Sequence, residues 1–258
     1  MKHNVKMVVT DLDNTLLRRN KTVSDYTVSI FNRLRERSIM IAFATARSRS
    51  AASQFTAQIP PDIFIGYGGA VALAGEEKIC HLDIPTDTSR SLIRACLDAP
   101  DIYAIYAINE TVALTNYKDF LSEEGTSHYT YDDLSILPDN GFLKISVRSR
   151  NPAPVKNIAS LFPMCDLLRY SGEDLYRFAN RDAVKWNAIK KVMAHYKFST
   201  NDVIAFGDDI NDVEMLHECG ISVSVLNAID ECKAVSNYVC GDCDDDGVAR
   251  WIEENVLW

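Results

Sequence analysis

The sequence lacks any apolar run long enough to cross a membrane. No stretch approaches the ~18 apolar residues that a spanning helix needs. The N-terminal segment up to Asp11 holds too short an apolar run for a signal peptide and ends in an acid. Membrane-spanning and secreted classes are therefore not expected, no membrane partner is predicted, and the predicted location is the cytoplasm.

Positive charge is also scarce. The 258 residues include 27 lysines and arginines against 36 aspartates and glutamates, which gives a net charge of −9. The sequence shows no basic stripe, so nucleic acid and anionic membrane surfaces are not expected as partners. A small-molecule phosphate ester stays compatible with this balance because it needs only a local positive site.

Little in the sequence suggests a zinc site or a disulfide framework. The five histidines show no metal-ligand spacing, and the seven cysteines are odd in number. Cys240 and Cys243 have CxxC spacing, but no second CxxC or histidine pair accompanies them. We interpret the cysteines as reduced thiols, and the role of Cys240 and Cys243 stays open.

Strands and helices alternate at both ends of the sequence, which predicts a parallel sheet with right-handed crossovers. The predicted strands are 5–10, 39–44, 63–65, 203–206, 221–225 and 238–239. The predicted helices are 24–37, 48–58, 184–196, one that ends at Cys219, 228–235 and one that starts near Asp246. Together these elements predict an α/β fold with a Rossmann-like core.

Residues 80–178 follow a different pattern. Segments such as Ile102–Ile108 and Phe142–Val147 alternate apolar with polar or small residues, as the strands of a mostly antiparallel sheet do. Thr86–Asp98 is the clearest helix of this region. The predicted organisation is therefore a core in two parts, 1–79 and 179–258, that is split by an inserted α+β cap domain, 80–178.

Asp11 and Asp13 directly follow the first predicted strand. Because side chains alternate along a strand, both carboxylates would leave the strand end on one side. At ~4 Å and an effective dielectric of ~20, their repulsion would cost about 4 kcal/mol. Such a pair is expected when a cation such as Mg²⁺ lies between the acids, or when one acid accepts a group while the other moves a proton.

Four polar sites fall at strand ends or at a helix start, where open parallel sheets bind ligands. They are Asp11-x-Asp13-x-Thr15, Thr45-Ala46-Arg47, Lys185 and Gly207-Asp208-Asp209-Ile210-Asn211-Asp212. The set offers a carboxylate nucleophile, an acid for proton transfer, a hydroxyl, a cation and further acids for a hard metal. Single members are ambiguous: Asp209 is expected to cap the next helix, and Arg47 either contacts substrate or forms a salt bridge on a helix surface.

The sequence resembles the haloacid dehalogenase superfamily over nearly its whole length, and more closely the Cof-type (IIB) sugar-phosphatase-like branch. Asp11-Leu12-Asp13-Asn14-Thr15-Leu16-Leu17 is similar to the first family motif and Thr45-Ala46-Arg47 to the second. Lys185 is similar to the third motif, and Gly207-Asp208-x-x-Asn211-Asp212-x-x-Met215 to the fourth. The insert lies where this branch carries its large cap.

The resemblance implies the chemistry of the acids. Asp11 would attack phosphorus and form an aspartyl-phosphate, and Asp13 would protonate the leaving alcohol and then activate water. Mg²⁺ would be held by the Asp11 carboxylate, the Asp13 backbone carbonyl and Asp208, with Asp212 in support of the metal or its waters.

The resemblance also implies the residues around the phosphate. Thr45 would donate a hydrogen bond to the phosphoryl group, and Lys185 would offset its charge and keep Asp11 ionised. Asn211 would contact phosphate or orient Asp208. Substrate contacts are expected at Arg47, Gly68 and Gly69, although position 68 is Gly where the branch often has Asn.

A second departure from the family pattern is Asn14, which stands where the family usually has Gly. That position needs an unusual backbone angle, and Asn tolerates it better than most residues. Activity is therefore expected to survive this substitution.

The predicted function is a Mg²⁺-dependent phosphomonoester hydrolase for a small phosphorylated metabolite, and a sugar phosphate is the expected substrate class. Two alternatives stay open: a phosphomutase with the same nucleophile, and a catalytically silent binding module with the same fold. Substrate specificity is assigned to the insert, with the candidate residues Lys144, Arg148, Arg169 and Arg177. The pattern predicts neither the substrate nor the oligomeric state.

Overall fold

The computed structural model describes residues 5–122, 128–170 and 172–258. The strands in chain order are β1 Met7–Thr10, β2 Met40–Ala44, β3 Ile63–Gly66, β4 Val71–Ala74, β5 Glu77–His81, β6 Ile102–Ile108, β7 Ala113–Thr115, β8 Thr130–Tyr131, β9 Lys144–Ser149, β10 Cys165–Arg169, β11 Leu175–Asn180, β12 Val203–Gly207, β13 Ile221–Ser224 and β14 Tyr238–Val239. The α-helices are α1 Asp25–Glu36, α2 Ser53–Gln58, α3 Thr86–Leu97, α4 Pro152–Leu161, α5 Lys185–Tyr196, α6 Val213–Glu218, α7 Asp230–Val235 and α8 Gly247–Asn255.

The chain divides into two units. The first comprises the chain up to His81 together with Val184–Trp258, and the second comprises Leu82–Ala183. In the described part of the chain no helix is long and apolar enough to pass through a bilayer.

The first unit is built on an eight-stranded sheet in the order β14-β13-β12-β1-β2-β3-β4-β5. The six strands from β14 to β3 pair in parallel. All four residues of β1 are buried, as expected for a central strand that is covered on both faces. The predicted parallel α/β core is confirmed by this arrangement.

The antiparallel strands β4 and β5 extend that sheet beyond β3 and were not predicted. Their pairing shifts register between Ala72 and Leu73, and β5 leaves three of its five residues exposed. A strand at the sheet edge buries too little of its surface to impose a regular alternation of apolar and polar residues. The sequence therefore contains no clear strand signal at β5.

Helix α2 starts five residues later than predicted. Ser48 accepts a hydrogen bond from the Ala51 amide at 3.1 Å, and a turn rather than a helix follows it. Nη1 of Arg47 donates to the Ala51 carbonyl oxygen at 3.2 Å, and the Phe55 amide bonds Ala52 instead. The first regular helical residue is therefore Ser53.

The second unit contains a six-stranded sheet in the order β10-β11-β9-β6-β7-β8. Every neighbouring pair is antiparallel except β7 and β8, which are parallel. Helices α3 and α4 lie on one face, where an apolar cluster includes Leu92, Ile93, Ile145, Val147 and Phe178. The predicted α+β insert with a mixed, mostly antiparallel sheet is confirmed.

Candidate functional site

Three predicted site residues lie side by side because they follow adjacent parallel strands. Asp11 comes directly after β1, Thr45 after β2 and Asp208 after β12. In the strand register Thr10 is opposite both Phe43 and Phe206, and the Asp11 amide donates to the Phe206 carbonyl at 3.0 Å. The carboxyl ends of the three strands therefore present these side chains at one sheet edge.

Lys185 joins this edge from the first residue of α5. Its side chain is 3% exposed, and Nζ donates to Oδ1 of Asp11 and to Oδ1 of Asp212, each at 2.6 Å. Burial alone would lower the pKa of Lys185, but attraction by Asp11 and Asp212 outweighs it and raises the pKa. The lysine is therefore a permanent positive charge beside the candidate nucleophile.

The carboxylates outnumber this lysine. Ligand oxygens of Asp11, Asp208 and Asp212 lie within 4.8 Å of one another. Burial, together with repulsion from Asp212 and Asp208, raises the pKa of Asp11 well above its usual range even though Lys185 opposes the shift. Three buried acids facing one ammonium group carry excess negative charge, so this oxygen-only donor set fits a hard divalent cation.

The pKa of Asp208 is raised by similar causes. Burial and the nearby Asp212 raise the pKa of Asp208 from 3.8 to about 7, although the Thr15 hydroxyl donates to its Oδ1 at 2.6 Å. A carboxyl group of this kind must lose a proton before it can bind a metal ion.

We expect the metal-free protein to lose stability as pH rises from about 4 towards 7. In this window the folded Asp208 holds a proton that the unfolded chain, with an ordinary pKa of 3.8, has released. The measurement is denaturant unfolding in the presence of a chelator at pH 5, 6, 7 and 8. Asp208→Asn should flatten the slope, and an identical slope in both proteins would contradict the shift.

Asp212 acts as an anchor within this group. Its Oδ2 accepts from the amides of Asp208 at 3.0 Å and Asp209 at 3.2 Å, and Lys185 occupies its Oδ1. A Cβ atom on Gly207 would lie 2.5 Å from the Cβ of Asp212, so only glycine admits this approach. Both carboxylate oxygens of Asp212 are thus engaged, and it orients the loop that carries Asp208. Asp209 forms the reciprocal capping box with Asp212 that its predicted capping role implies.

Asp13 has a different set of partners. Arg47 binds it with two hydrogen bonds, Nε to Oδ2 and Nη2 to Oδ1, each at 2.7 Å, and Lys21 lies 2.8 Å from Oδ1. Burial would raise the pKa of Asp13, but Arg47 and Lys21 together lower it to about 2. In this arrangement Asp13 is an ionised acceptor, and it has no proton to donate while Arg47 holds it.

The loop Gly66–Gly69 links two parts of the site. The amides of Tyr67 and Gly68 donate to the carbonyls of Arg47 and Thr45 at 3.0 and 2.9 Å. Tyr67, Gly68 and Gly69 all have positive φ, at 54, 73 and 106°. A Cβ atom on Gly69 would lie 2.3 Å from the carbonyl carbon and oxygen of Val184. The substrate contacts predicted at positions 68 and 69 stay predictions. In the structure Gly69 packs closely against the backbone of Val184 and Lys185.

Gly69→Ala should lower kcat for the predicted phosphate-ester hydrolysis at least about tenfold. The reason is that the added methyl group pushes the start of α5, and with it Lys185, away from Asp11. The control is Gly75→Ala, since Gly75 also has positive φ but open space around its Cβ position. This control costs only the backbone strain of about 1–2 kcal/mol. Steady-state kinetics and thermal unfolding of both variants make the comparison, and equal rates for the two would rule out the positioning effect.

Two residues of the site had no role assigned from the sequence. Thr15 lies in the predicted Asp11-x-Asp13-x-Thr15 site, and its hydroxyl donates to Asp208. Lys21 reaches Asp13 from a loop, and no motif or periodicity in the sequence pointed to it. Asn211 makes no side-chain hydrogen bond to the described residues, so its predicted phosphate contact stays a prediction. Asn14 has a φ of 58°, which agrees with the unusual backbone angle expected there.

A second acidic group lies in the first unit. Asp242, Cys243 and Asp244 have potential ligand atoms within 4.8 Å of one another. However, Arg19 donates to all four carboxylate oxygens of these two acids. Its guanidinium group donates to both oxygens of Asp242 and to Oδ2 of Asp244, and its backbone amide donates to Oδ1 of Asp244. These acids therefore pair with Arg19. All seven cysteines are free and buried, as predicted for reduced thiols.

The sequence is similar to known proteins along nearly its whole length. The sequence profile of the haloacid dehalogenase-like hydrolases matches residues 8–252. The 5-amino-6-(5-phospho-D-ribitylamino)uracil phosphatase YitU of Bacillus subtilis is 24% identical, and the match covers 96% of each chain. The HMP-PP phosphatase of Yersinia enterocolitica is also 24% identical, over 96% of this chain and 94% of the relative.

Solved structures share the fold. The HAD subclass IIB sugar phosphatase BT4131 superposes with a TM-score of 0.85 at 18% identity, over 97% of this chain and 98% of the other. TM0651 of Thermotoga maritima superposes with a TM-score of 0.83 at 20% identity, over 97% of each chain.

Proposed function

Since the chain belongs to the haloacid dehalogenase-like hydrolase family, in its Cof-type phosphatase branch, we propose that it hydrolyses phosphate monoesters of small metabolites with the help of Mg²⁺. The predicted family and enzyme class are confirmed. A sugar phosphate is the proposed substrate class, and a sugar phosphatase among the structures of the same fold supports it. The observation that carries the proposal is the buried Asp11 carboxylate with Lys185 at 2.6 Å and Asp208 beside it.

Asp11 is the proposed nucleophile. One of its oxygens bonds to phosphorus as the ester P–O bond breaks, which leaves an aspartyl-phosphate on the protein and releases the alcohol. Lys185 already holds Oδ1 of Asp11, so the other oxygen is the one available for attack. The same ammonium group stabilises negative charge as the phosphoryl group arrives.

Asp13 is the proposed acid and base. It would give a proton to the leaving alcohol oxygen and later take one from the water that hydrolyses the aspartyl-phosphate. Its pairing with Arg47 and Lys21 favours the ionised form, which suits the second step. For the first step Arg47 must release Asp13, and an incoming phosphate dianion supplies an alternative partner for the guanidinium group.

Mg²⁺ would be held by the carboxylates of Asp11 and Asp208 and by the backbone carbonyl of Asp13, with Asp212 in support, and would neutralise phosphate charge. The hydroxyl of Thr45 is 1% exposed and accepts the Arg47 amide at 3.1 Å. That hydrogen bond leaves its own proton to donate to a phosphoryl oxygen. Asn211 is the second proposed phosphate contact.

The test is phosphate release from a panel of phosphorylated metabolites with Mg²⁺, and with a chelator as the control. The panel contains sugar phosphates, 5-amino-6-(5-phospho-D-ribitylamino)uracil and HMP-PP, because relatives are named for the last two. We expect release from at least one ester, and only with the metal. Isomerised ester without free phosphate, in the presence of a bisphosphate activator, would instead identify a phosphomutase. Binding without either reaction would identify the silent module.

A further inference from the structure

The sheet of the second unit has two unlike faces. Side chains alternate along a strand, and the residues that join the apolar cluster under α3 and α4 are Ile145 and Val147 on β9 and Tyr176 and Phe178 on β11. The intervening residues point to the opposite face. There the polar residues Lys144, Ser146, Arg148 and Arg177 lie beside the apolar Leu175 and Ala179. Three of the four polar residues are cationic.

Arg177 is the unusual member of that face. Its side chain is 2% exposed, and its Nε and Nη1 atoms are buried without a hydrogen-bond partner among the described residues. Nη2 lies 3.8 Å from Oδ2 of Asp166, which is too long for a hydrogen bond. The Asp166 side chain is 44% exposed, so water screens much of its charge from the guanidinium group.

Arg148 on this face and Arg169 on the edge strand β10 both have partners. Arg148 donates to the Tyr106 hydroxyl at 3.2 Å and to Asp174 at 3.0 Å. Arg169 donates to the Glu173 carbonyl at 3.1 Å and lies over the Tyr176 ring. Among the described residues of this unit, Arg177 is thus the buried cation whose donor groups lack partners.

A buried guanidinium group with unsatisfied N–H donors is costly unless an anion completes it. We propose that Arg177 is the centre of an oxyanion-binding site on the polar face of this sheet. In the strand register Ser146 is opposite Arg177 on β9, and Tyr106 is opposite Ser146 on β6. The Ser146 hydroxyl is therefore placed beside the guanidinium group to donate a further hydrogen bond to the same anion.

The ligand class follows from these donors. Guanidinium and hydroxyl groups recognise carboxylate and phosphoryl oxygens. The oxyanion belongs either to the substrate, as a second anionic group besides its ester phosphate, or to a separate small molecule. The first source rests on the proposed phosphatase function, and the second does not.

Binding is tested on the full-length, Mg²⁺-loaded protein with malonate as the carboxylate probe and methylphosphonate as the phosphoryl probe. We expect Arg177→Met to weaken binding of at least one probe about 10- to 100-fold, as loss of charge-assisted hydrogen bonds does. Arg177→Lys should recover part of the affinity. The matched control is Arg150→Met, because Arg150 is exposed. Wild-type affinity for both probes in Arg177→Met would overturn the site.

A purely structural role is distinguished by two further measurements. If Arg177 served only to pair with Asp166, Asp166→Asn would weaken probe binding no less than Arg177→Met, and Arg177→Met would lower the melting temperature. We expect Asp166→Asn to bind the probes like the wild type and Arg177→Met to melt no lower than the wild type. If Arg177→Met fails to fold, Arg177→Lys and Asp166→Asn still decide the question.

The source of the oxyanion is decided by kinetics on glucitol 6-phosphate and 6-phosphogluconate, two open-chain esters that differ only by CH2OH against a carboxylate at C1. A preference of about 10- to 100-fold in kcat/KM for 6-phosphogluconate that Arg177→Met removes would place the anion on the substrate. Probe binding that depends on Arg177, with equal kcat/KM for the two esters, would assign it to a separate molecule. Phosphate release from neither ester or any other in the panel would refute the proposed function, and the binding experiments would stand apart from that result.

Discussion

Replacing Asp11 by Asn is expected to lower turnover at least about 1000-fold, because an amide oxygen does not attack phosphorus as a carboxylate does. The substitution is nearly isosteric, and Asn retains an oxygen that can accept the hydrogen bond from Lys185. The fold should therefore survive. Single-turnover and steady-state phosphate release measure the loss, and mass spectrometry should find no phosphorylated protein.

The matched control is Asp25→Asn, in the exposed first turn of α1, which should keep the wild-type rate. If Asp11→Asn also kept that rate while remaining folded, Asp11 would not be the nucleophile. Loss of turnover in both variants would point to a general effect on the protein instead.

Replacing Lys185 by Met should affect both stability and activity. The ammonium group is the partner of Asp11 and Asp212 at 2.6 Å, so its removal leaves two buried carboxylates without compensation. Breaking a buried ion pair from one side costs about 3–5 kcal/mol. Loss of the positive charge at the phosphoryl position should lower kcat at least about 100-fold.

Denaturant unfolding and phosphate release check these two effects separately. The stability loss should shrink as pH falls, because protonation neutralises the unpaired acids, and added Mg²⁺ should restore part of it. Lys190→Met is the control, since Lys190 is an exposed residue of the same helix. A Lys185→Met protein as stable and active as this control would show that the lysine is not the central counter-charge.

The meeting of Asp11, Thr45 and Asp208 could be predicted from sequence because it follows from local rules. Each residue ends a buried apolar run, and parallel neighbours deliver their carboxyl ends to one edge. The same holds for the insert, where the alternation in Ile102–Ile108 predicted a strand with two unlike faces.

The side-chain partners of Asp11 and Asp13 could not be predicted in this way. Alternation places Asp11 and Asp13 on one side only while the strand continues, but β1 ends at Thr10 and Asn14 turns the chain with a φ of 58°. Asp11 therefore meets Lys185, 174 residues away, and Asp13 meets Arg47, 34 residues away. Contacts of this range depend on how loops are closed, which no periodicity encodes.

Local patterns were enough to predict the α/β core, the inserted α+β unit and the set of acids, hydroxyl and lysine at the sheet edge, because helix and strand periods and motif spacing are local properties. The folded chain was needed to find that Arg47 binds Asp13, that Gly69 packs against Val184 and that Arg177 is buried with unpartnered donors. These three findings share one cause. Burial, close approach and charge compensation depend on residues that are distant in sequence, and they exist only once the chain has folded.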